Sequence, residues 1–170
     1  NLSQKALEYY EMAISYNREF ADAQFNKSLM LLQMGDFSAG WRLYEWRKSP
    51  NRKIRITSAA REFAQPIWLG GENVTGKTIF LHWEQGLGDT IQFCRLAKNL
   101  SDRGCKVILE VQKPLKDLMA NVEGVDTVIH HGEVIPNFDF HCSLMSLPHA
   151  LGLMIENIPT KIPYLAADKP

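Results

Sequence analysis

Two glycine-containing stretches have the residue types to hold a phosphate or another polar ligand through backbone amides. The first is residues 71–78, GENVTGKT, which match the pattern G-x-x-x-x-G-K-[ST] in full. That pattern binds nucleotide phosphates when a buried strand leads into it and a helix follows it. Here the β-rich run TIFLHW follows Lys77, and no buried strand precedes the motif. We therefore predict a turn that leads into a strand with Lys77 exposed, and no nucleotide triphosphatase.

The second stretch is residues 84–89, EQGLGD, which stand between an apolar run ending at Trp83 and a helical pattern. Backbone amides meet ligands in this strand–glycine–helix order, at the carboxyl end of a parallel strand. The third glycine of the dinucleotide fingerprint is absent, so a nicotinamide cofactor has little support. Asp89 has two open interpretations: it caps the helix, or it faces a ligand crevice.

The elements that position this turn follow from short apolar runs. Four runs predict β-strands, at residues 78–83, 107–111, 125–129 and 138–142. Helical spacing of apolar residues within 93–100 predicts one intervening helix, and Pro114 opens a second. Alternating strands and helices favour an α/β fold with a parallel sheet and right-handed crossovers.

The first 48 residues have a different pattern. Ala6 and Tyr10 recur 34 residues later as Gly40 and Tyr44, and a helical stripe at residues 21–34 lies between them. A small residue four positions before an aromatic, repeated at this period, is typical of tetratricopeptide repeats, in which closely packed helices leave no room for a larger side chain. Two partly covered repeats are fewer than such arrays need alone, so we expect this part to pack on other structure.

Composition excludes several classes of protein. Nineteen basic and nineteen acidic residues cancel, which argues against binding nucleic acid or an acidic membrane. Three cysteines without a C-x-x-C pair fit a reducing, cytoplasmic location. No apolar run reaches the ~20 residues of a membrane span, and no signal-peptide layout is present. Since the chain begins at Asn1, we expect it to be part of a longer protein.

These patterns predict three segments. Tetratricopeptide helices occupy residues 1–48, a linker occupies 49–75, and an α/β domain occupies 76–170. The basic and polar residues 48–66 mark the boundary, because such charge runs are usually solvated.

A family resemblance adds to this interpretation. EQGLGDTIQF, with KTIFLHW before it and GCKVILEV and FDFHCSLMSLP after it, resembles the N-terminal Rossmann-like half of bacterial tetratricopeptide-repeat proteins with a glycosyltransferase-like region. GDFSAGWRLYEWR is similar to the repeat that precedes that region, and the related heptosyltransferases carry a comparable turn ending in Gly-Asp. The resemblance implies a GT-B architecture whose first domain contacts the acceptor. The nucleotide-sugar donor would bind a second, C-terminal domain beyond Pro170, so no cofactor is expected in this chain and the chain alone is not expected to be active.

By the same resemblance, Asp89 is the candidate general base that accepts a proton from an acceptor hydroxyl. The acceptor, a glycan or a protein, would contact residues on the turn and at a later strand end: Glu84, Gln85, Gly86, Gly88, Thr90, His141, Ser143 and Ser146. The two serines are equally explained as local turn or cap residues. No metal site is expected, because His130 and His131 are neighbours on a strand and point to opposite faces.

The alternative belongs to a different class of protein. In it, the repeats recruit a protein partner and the α/β domain is a support without chemistry. Trp41, Trp46 and Tyr44 are interpreted as packing the last repeat helix against the α/β domain, with an aromatic ligand platform as the competing reading.

Overall fold

The computed structural model describes residues 2–54 and 61–166. Asn1, residues 55–60 of the predicted linker and residues 167–170 of the predicted α/β domain lie outside the described residues. The chain divides into two compact units. The first comprises Asn1–Ala60 with Gly152–Ile158, and the second comprises Arg61–Leu151 with Pro159–Pro170. The predicted linker 49–75 is thus shared between the two units.

The first unit is helical. Helices α1 (Leu2–Tyr16), α2 (Ala21–Gln33) and α3 (Phe37–Tyr44) follow one another, and a short 3₁₀ helix, Glu45–Lys48, continues α3. Helix α2 packs against both α1 and α3. Its core joins Phe25 to Tyr44, whose ring centroids are 5.5 Å apart, and Tyr44 also meets Trp41 edge-on at 5.7 Å. Arg47 is fully buried beside them and donates to the Tyr44 carbonyl oxygen at 3.2 Å.

Two glycines set the α2–α3 corner. Gly35 has a φ of +87°. Glycine adopts this conformation without a steric clash, whereas the Cβ of any other residue would clash with the backbone. Asp36 then caps α3 by accepting from the Ala39 amide at 3.0 Å. A Cβ on Gly40 would lie 2.7 Å from the Leu32 side chain, so the packing of α2 on α3 requires the small residue that the repeat pattern predicted.

The start of the predicted solvated linker is anchored within the first unit. The Arg52 Nε donates to Asp22 at 3.1 Å, and its guanidinium lies 3.9 Å from the centroid of the Phe25 ring. Arg52 is only 9% exposed. The expectation of a solvated charge run is therefore wrong at this residue. The Arg52 guanidinium packs instead against Asp22 and Phe25, which lie 30 and 27 positions earlier in the chain.

The second unit is α/β with a four-stranded parallel sheet. Its strands are β1 (Thr78–His82), β2 (Lys106–Val111), β3 (Thr127–His130) and β4 (Phe140–Ser143), in the order β3-β2-β1-β4. The four predicted runs are all strands, and each observed end lies within two residues of the predicted end.

Short helices connect the strands. After β1 come α4 (Leu87–Phe93), a 3₁₀ turn and α5 (Ala97–Ser101); α6 (Lys116–Met119) precedes β3, and α7 (Leu147–Ala150) follows β4. Helix α5 packs against β2, and its Leu100 is fully buried. The helical spacing at 93–100 is thus confirmed, although a 3₁₀ turn at Cys94–Leu96 divides the helix.

One sheet face is covered by an extended segment that the sequence did not indicate. The buried centre of this sheet face consists of Phe80, Ile108 and Ile129. Packed against this centre are Phe63, Ile135 and Phe138. Residues 61–68, here called the strap, lie over this face and continue to its edge. At the edge, the Trp68 amide donates to the His141 carbonyl oxygen at 2.8 Å, and the His141 amide donates to the Pro66 carbonyl oxygen at 3.1 Å.

Among residues 2–54 and 61–166, no helix combines the length and the apolar character that a membrane crossing needs.

Candidate functional site

The motif at residues 71–78 is not a phosphate loop. Strand β1 begins directly after Lys77, and no helix follows the glycine turn. Lys77 is exposed and lies 3.4 Å from an Asp139 carboxylate oxygen. The Thr78 amide donates to the other Asp139 oxygen at 2.8 Å, and this hydrogen bond is the main reason that the pKa of Asp139 lies below its ordinary value. The predicted turn into the first strand is confirmed.

The turn at residues 84–89 has the predicted order of strand, glycine and helix. Gly86 is the N-cap of α4 and has extended backbone angles. Asp89 occupies the third helical position, and its Oδ2 accepts from the Gly86 amide at 2.9 Å. A carboxylate at this position that reaches back to the N-cap amide satisfies a donor left open at the helix start. The capping interpretation of Asp89 is therefore confirmed.

Capping leaves capacity on the carboxylate. An ionised carboxylate has about four acceptor sites on its two oxygens, and the Gly86 amide uses one of them. Asp89 is partly exposed. A role as cap is thus compatible with a second role as proton acceptor.

Gln112, at the end of β2, clamps the turn from the neighbouring strand. Its Nε2 donates to the Gln85 carbonyl oxygen at 2.9 Å, and its Oε1 accepts from the Thr90 hydroxyl at 2.9 Å. Thr90 is buried. The Thr90 side chain therefore fixes α4 to the sheet, and Gln112 is a site residue that the sequence analysis did not include.

The end of β4 lies beside the end of β1, as the parallel pairing of His82 with Ser143 requires. The 3₁₀ helix after β4 packs against α4. The structure thus brings residues 84–90 and 143–146 to one edge of the sheet. Ser143 and Ser146 are buried, and their hydroxyl oxygens are 3.0 Å apart. This contact matches the local turn interpretation of the two serines.

Three other site residues differ in exposure. Glu84 is buried at 7% exposure, at the first position of the turn. His141 is partly buried and its Nδ1 lies 3.4 Å from the Nε2 of His82. Gly88 is exposed, and a Cβ built on it would meet no atom within 4 Å.

The remaining candidates for chemistry are accounted for by packing and ion pairs. His130 lies 3.5 Å from Glu133, whereas His131 lies 3.5 Å from Glu110, so the two neighbours face different carboxylates. Within the described parts of the chain, no three His, Cys, Asp or Glu residues are arranged to hold a metal ion. Burial raises the pKa of the Cys94 thiol to about 11, which keeps it protonated and unreactive near neutral pH.

Comparisons with known proteins give little further information about this site. No protein-family model matches the chain, and no solved structure matches it. The chain is similar to Protein FlbA of Caulobacter vibrioides (strain ATCC 19089 / CIP 103742 / CB 15), with 30% identity over 82 residues. The similarity covers 48% of this chain and 13% of FlbA, so the aligned region is a small part of that protein.

Proposed function

We propose that this chain is the acceptor-side part of a tetratricopeptide-linked, glycosyltransferase-like protein, with the second unit as a Rossmann-like acceptor domain. One observation carries the proposal: Asp89 is fixed at the carboxyl edge of the sheet, at the start of the helix that follows β1. The strand order changes direction between β1 and β4, and open α/β sheets bind ligands at such a point.

The chemistry follows from the position of the carboxylate. An acceptor hydroxyl within hydrogen-bond reach of Asp89 can transfer its proton to the carboxylate as the new glycosidic bond forms. Glu84, Gln85 and the two glycines line the same turn, and the space above Gly88 lets a ligand approach the backbone. A second domain would bind the nucleotide-sugar donor, so we expect transfer only from a longer protein that includes it.

Asp89→Asn separates the two roles of this side chain. The amide oxygen of asparagine still accepts from the Gly86 amide, whereas asparagine cannot take up the acceptor proton. We expect the variant of the longer protein to fold with nearly the same Tm and to lose about 10²–10⁴-fold in glycosyl transfer across a panel of nucleotide-sugar donors.

Asp117→Asn is the matched control, because Asp117 is an exposed carboxylate on α6 that belongs to neither of the candidate-site segments 84–90 and 143–146. It should transfer at the parental rate. Equal transfer by the Asp89→Asn variant and the parent would remove Asp89 from the chemistry.

A second candidate function is a protein-interaction module with a non-catalytic α/β support. The buried serine pair and the Thr90–Gln112 hydrogen bond favour this alternative. In both, side chains that were predicted to contact a ligand are hydrogen-bonded to other residues of the chain. Under this alternative the longer protein transfers no sugar from any donor, and Asp89→Asn changes only stability.

A further inference from the structure

The first unit has a groove of about 350 Å³ at the end of α3, here called the Trp46 groove. One short stretch of sequence supplies the whole lining, from the last turn of α3 through the 3₁₀ helix that follows it. The lining residues are Arg42, Glu45, Trp46, Lys48 and Ser49. The groove thus combines a large aromatic ring with charged side chains, and all of its lining residues belong to the first unit.

Trp46 differs from the other aromatic side chains near it in the sequence. Trp41 and Tyr44 meet edge-on at 5.7 Å, and their rings also contact those of Phe37 and Phe25, respectively. In the described part of this unit, Trp46 takes no part in these ring contacts. It is only partly buried, and it lines the groove. The core of the helical unit therefore accounts for Trp41 and Tyr44, whereas Trp46 offers its ring to a ligand.

The groove is positively charged. Residues 42–48 carry three basic side chains and one acidic side chain, a net charge of +2, whereas the whole chain has a net charge of zero. The acidic member, Glu45, lies 2.6 Å from the buried Arg47 and 3.2 Å from Lys48. Since Arg47 alone balances the charge of Glu45, the charges of Arg42 and Lys48 are in excess. Both of these residues are exposed, so an anionic group that enters the groove meets two cations.

Two cations beside an indole ring match the chemistry of an acidic peptide. The planar guanidinium of arginine binds carboxylates through paired hydrogen bonds, and a tryptophan ring packs on the apolar atoms of the same segment. Tryptophan and arginine are also the residue types that contribute most to the affinity of protein interfaces. Nucleic acid fits less well, because its binding requires that many phosphates be neutralised, and the chain has no overall excess of positive charge.

We propose that the Trp46 groove binds an acidic segment of a partner protein. The carboxylates of that segment pair with Arg42 and Lys48, and its apolar atoms pack on the Trp46 ring. The interaction belongs to the first unit alone and is independent of glycosyl transfer at Asp89.

NMR of the indole N–H groups tests the proposal on the chain as it stands. The four tryptophans give four indole signals, and Trp46→Phe identifies the Trp46 signal by its loss. The probe is a hexaglutamate peptide with blocked ends, and hexaglutamine with blocked ends is its uncharged counterpart. We expect hexaglutamate to shift the Trp46 signal saturably, and hexaglutamine to leave it unchanged.

Trp68 is an internal control in the same spectrum. It is fully buried, and its Nε1 donates to the Glu72 carbonyl oxygen at 3.2 Å. Its signal should not shift with either peptide.

Two arginine variants test the charge of the groove. Arg42→Gln should raise the Kd of hexaglutamate at least about fivefold, because it removes one of the two excess cations and the guanidinium that binds carboxylates. Arg18→Gln changes the net charge equally, and Arg18 is an exposed arginine of the same unit outside the groove, so this control should bind like the parent. Both substitutions are at exposed positions, where stability changes little.

Three results would overturn the proposal: a Trp46 signal that stays in place at millimolar hexaglutamate, an equal shift with hexaglutamine, or equal weakening by the two arginine variants. Tighter binding of an oligothymidylate than of hexaglutamate, followed by the same signal, would assign the groove to nucleic acid instead. Asp89→Asn should bind hexaglutamate like the parent. A failure of the proposed transfer chemistry therefore leaves this test unaffected, and the reverse also holds.

Discussion

Gly88→Ala tests whether this glycine serves the fold or a ligand. Gly88 is the second residue of α4, has no positive φ, and leaves a Cβ without any neighbour within 4 Å. Alanine loses less conformational entropy than glycine on folding and favours the helix by about 0.5–1 kcal/mol. We therefore expect the substitution to raise the free energy of unfolding by about that amount.

For a chain of 170 residues, an increase of this size corresponds to a rise in Tm of roughly 1–4 °C. Urea denaturation followed by circular dichroism measures the change, with Gly86→Ala as a comparison, because a Cβ on Gly86 would lie 3.3 Å from the capping oxygen of Asp89. We expect Gly86→Ala to be neutral or destabilising. Should Gly88→Ala destabilise the chain by about 1 kcal/mol or more, the fold itself would require this glycine, and the open space above it would be no argument for a ligand.

Two further predictions concern the helical unit. Gly40→Leu should lower the free energy of unfolding by about 1–3 kcal/mol, because the new side chain would overlap Leu32. The control Ser38→Leu, on the exposed side of α3, should stay within about 0.5 kcal/mol of the parent. Equal effects of the two substitutions in urea denaturation would show that α2 and α3 are not closely packed. Asp22→Ala should cost about 1–3 kcal/mol at pH 7, because it leaves the buried Arg52 guanidinium without its carboxylate partner. The Lys53 amide, and then Arg52, hold the pKa of Asp22 below its ordinary value, so this stabilisation is complete above the unfolded pKa of about 3.9 and disappears as the pH falls through the lower folded pKa. A difference between parent and Asp22→Ala that persists unchanged at about pH 2 would contradict this assignment.

Local pattern predicted the sheet well. Runs such as Ile79–Phe80–Leu81 and Val107–Ile108–Leu109 are buried on both faces, and continuous apolar residues are what such strands require. Local information was also sufficient to reject residues 71–78 as a phosphate loop, because the β-rich run TIFLHW follows the motif where a phosphate loop needs a helix. Gly40 was identified as a position for a small residue by the 34-residue spacing in the sequence, and a Cβ there would lie 2.7 Å from Leu32.

The local sequence pattern could not predict contacts between residues that lie far apart in the chain. Arg61 and Glu110 are 49 positions apart, and Asp22 and Arg52 are 30 apart. Each arginine lies in a basic, polar stretch whose composition resembles a solvated linker, and only the folded chain shows the carboxylate that receives it. Gln112 was missed for the same reason: its partners on the turn come into reach once β1 and β2 are adjacent.

The position of Asp89 depends on a series of hydrogen bonds around the turn. Asp89 caps the helix that carries it, Thr90 ties that helix to Gln112, and Gln112 holds the turn through Gln85. The carboxylate is therefore held in place, before any ligand arrives, by groups that directly follow β1 and β2. Such preorganisation is what a general base needs in order to meet a hydroxyl in a fixed orientation. The same hydrogen bonds would stabilise an inert turn equally well. The separation of rate from stability in Asp89→Asn is accordingly the measurement that distinguishes a catalytic carboxylate from a helix cap.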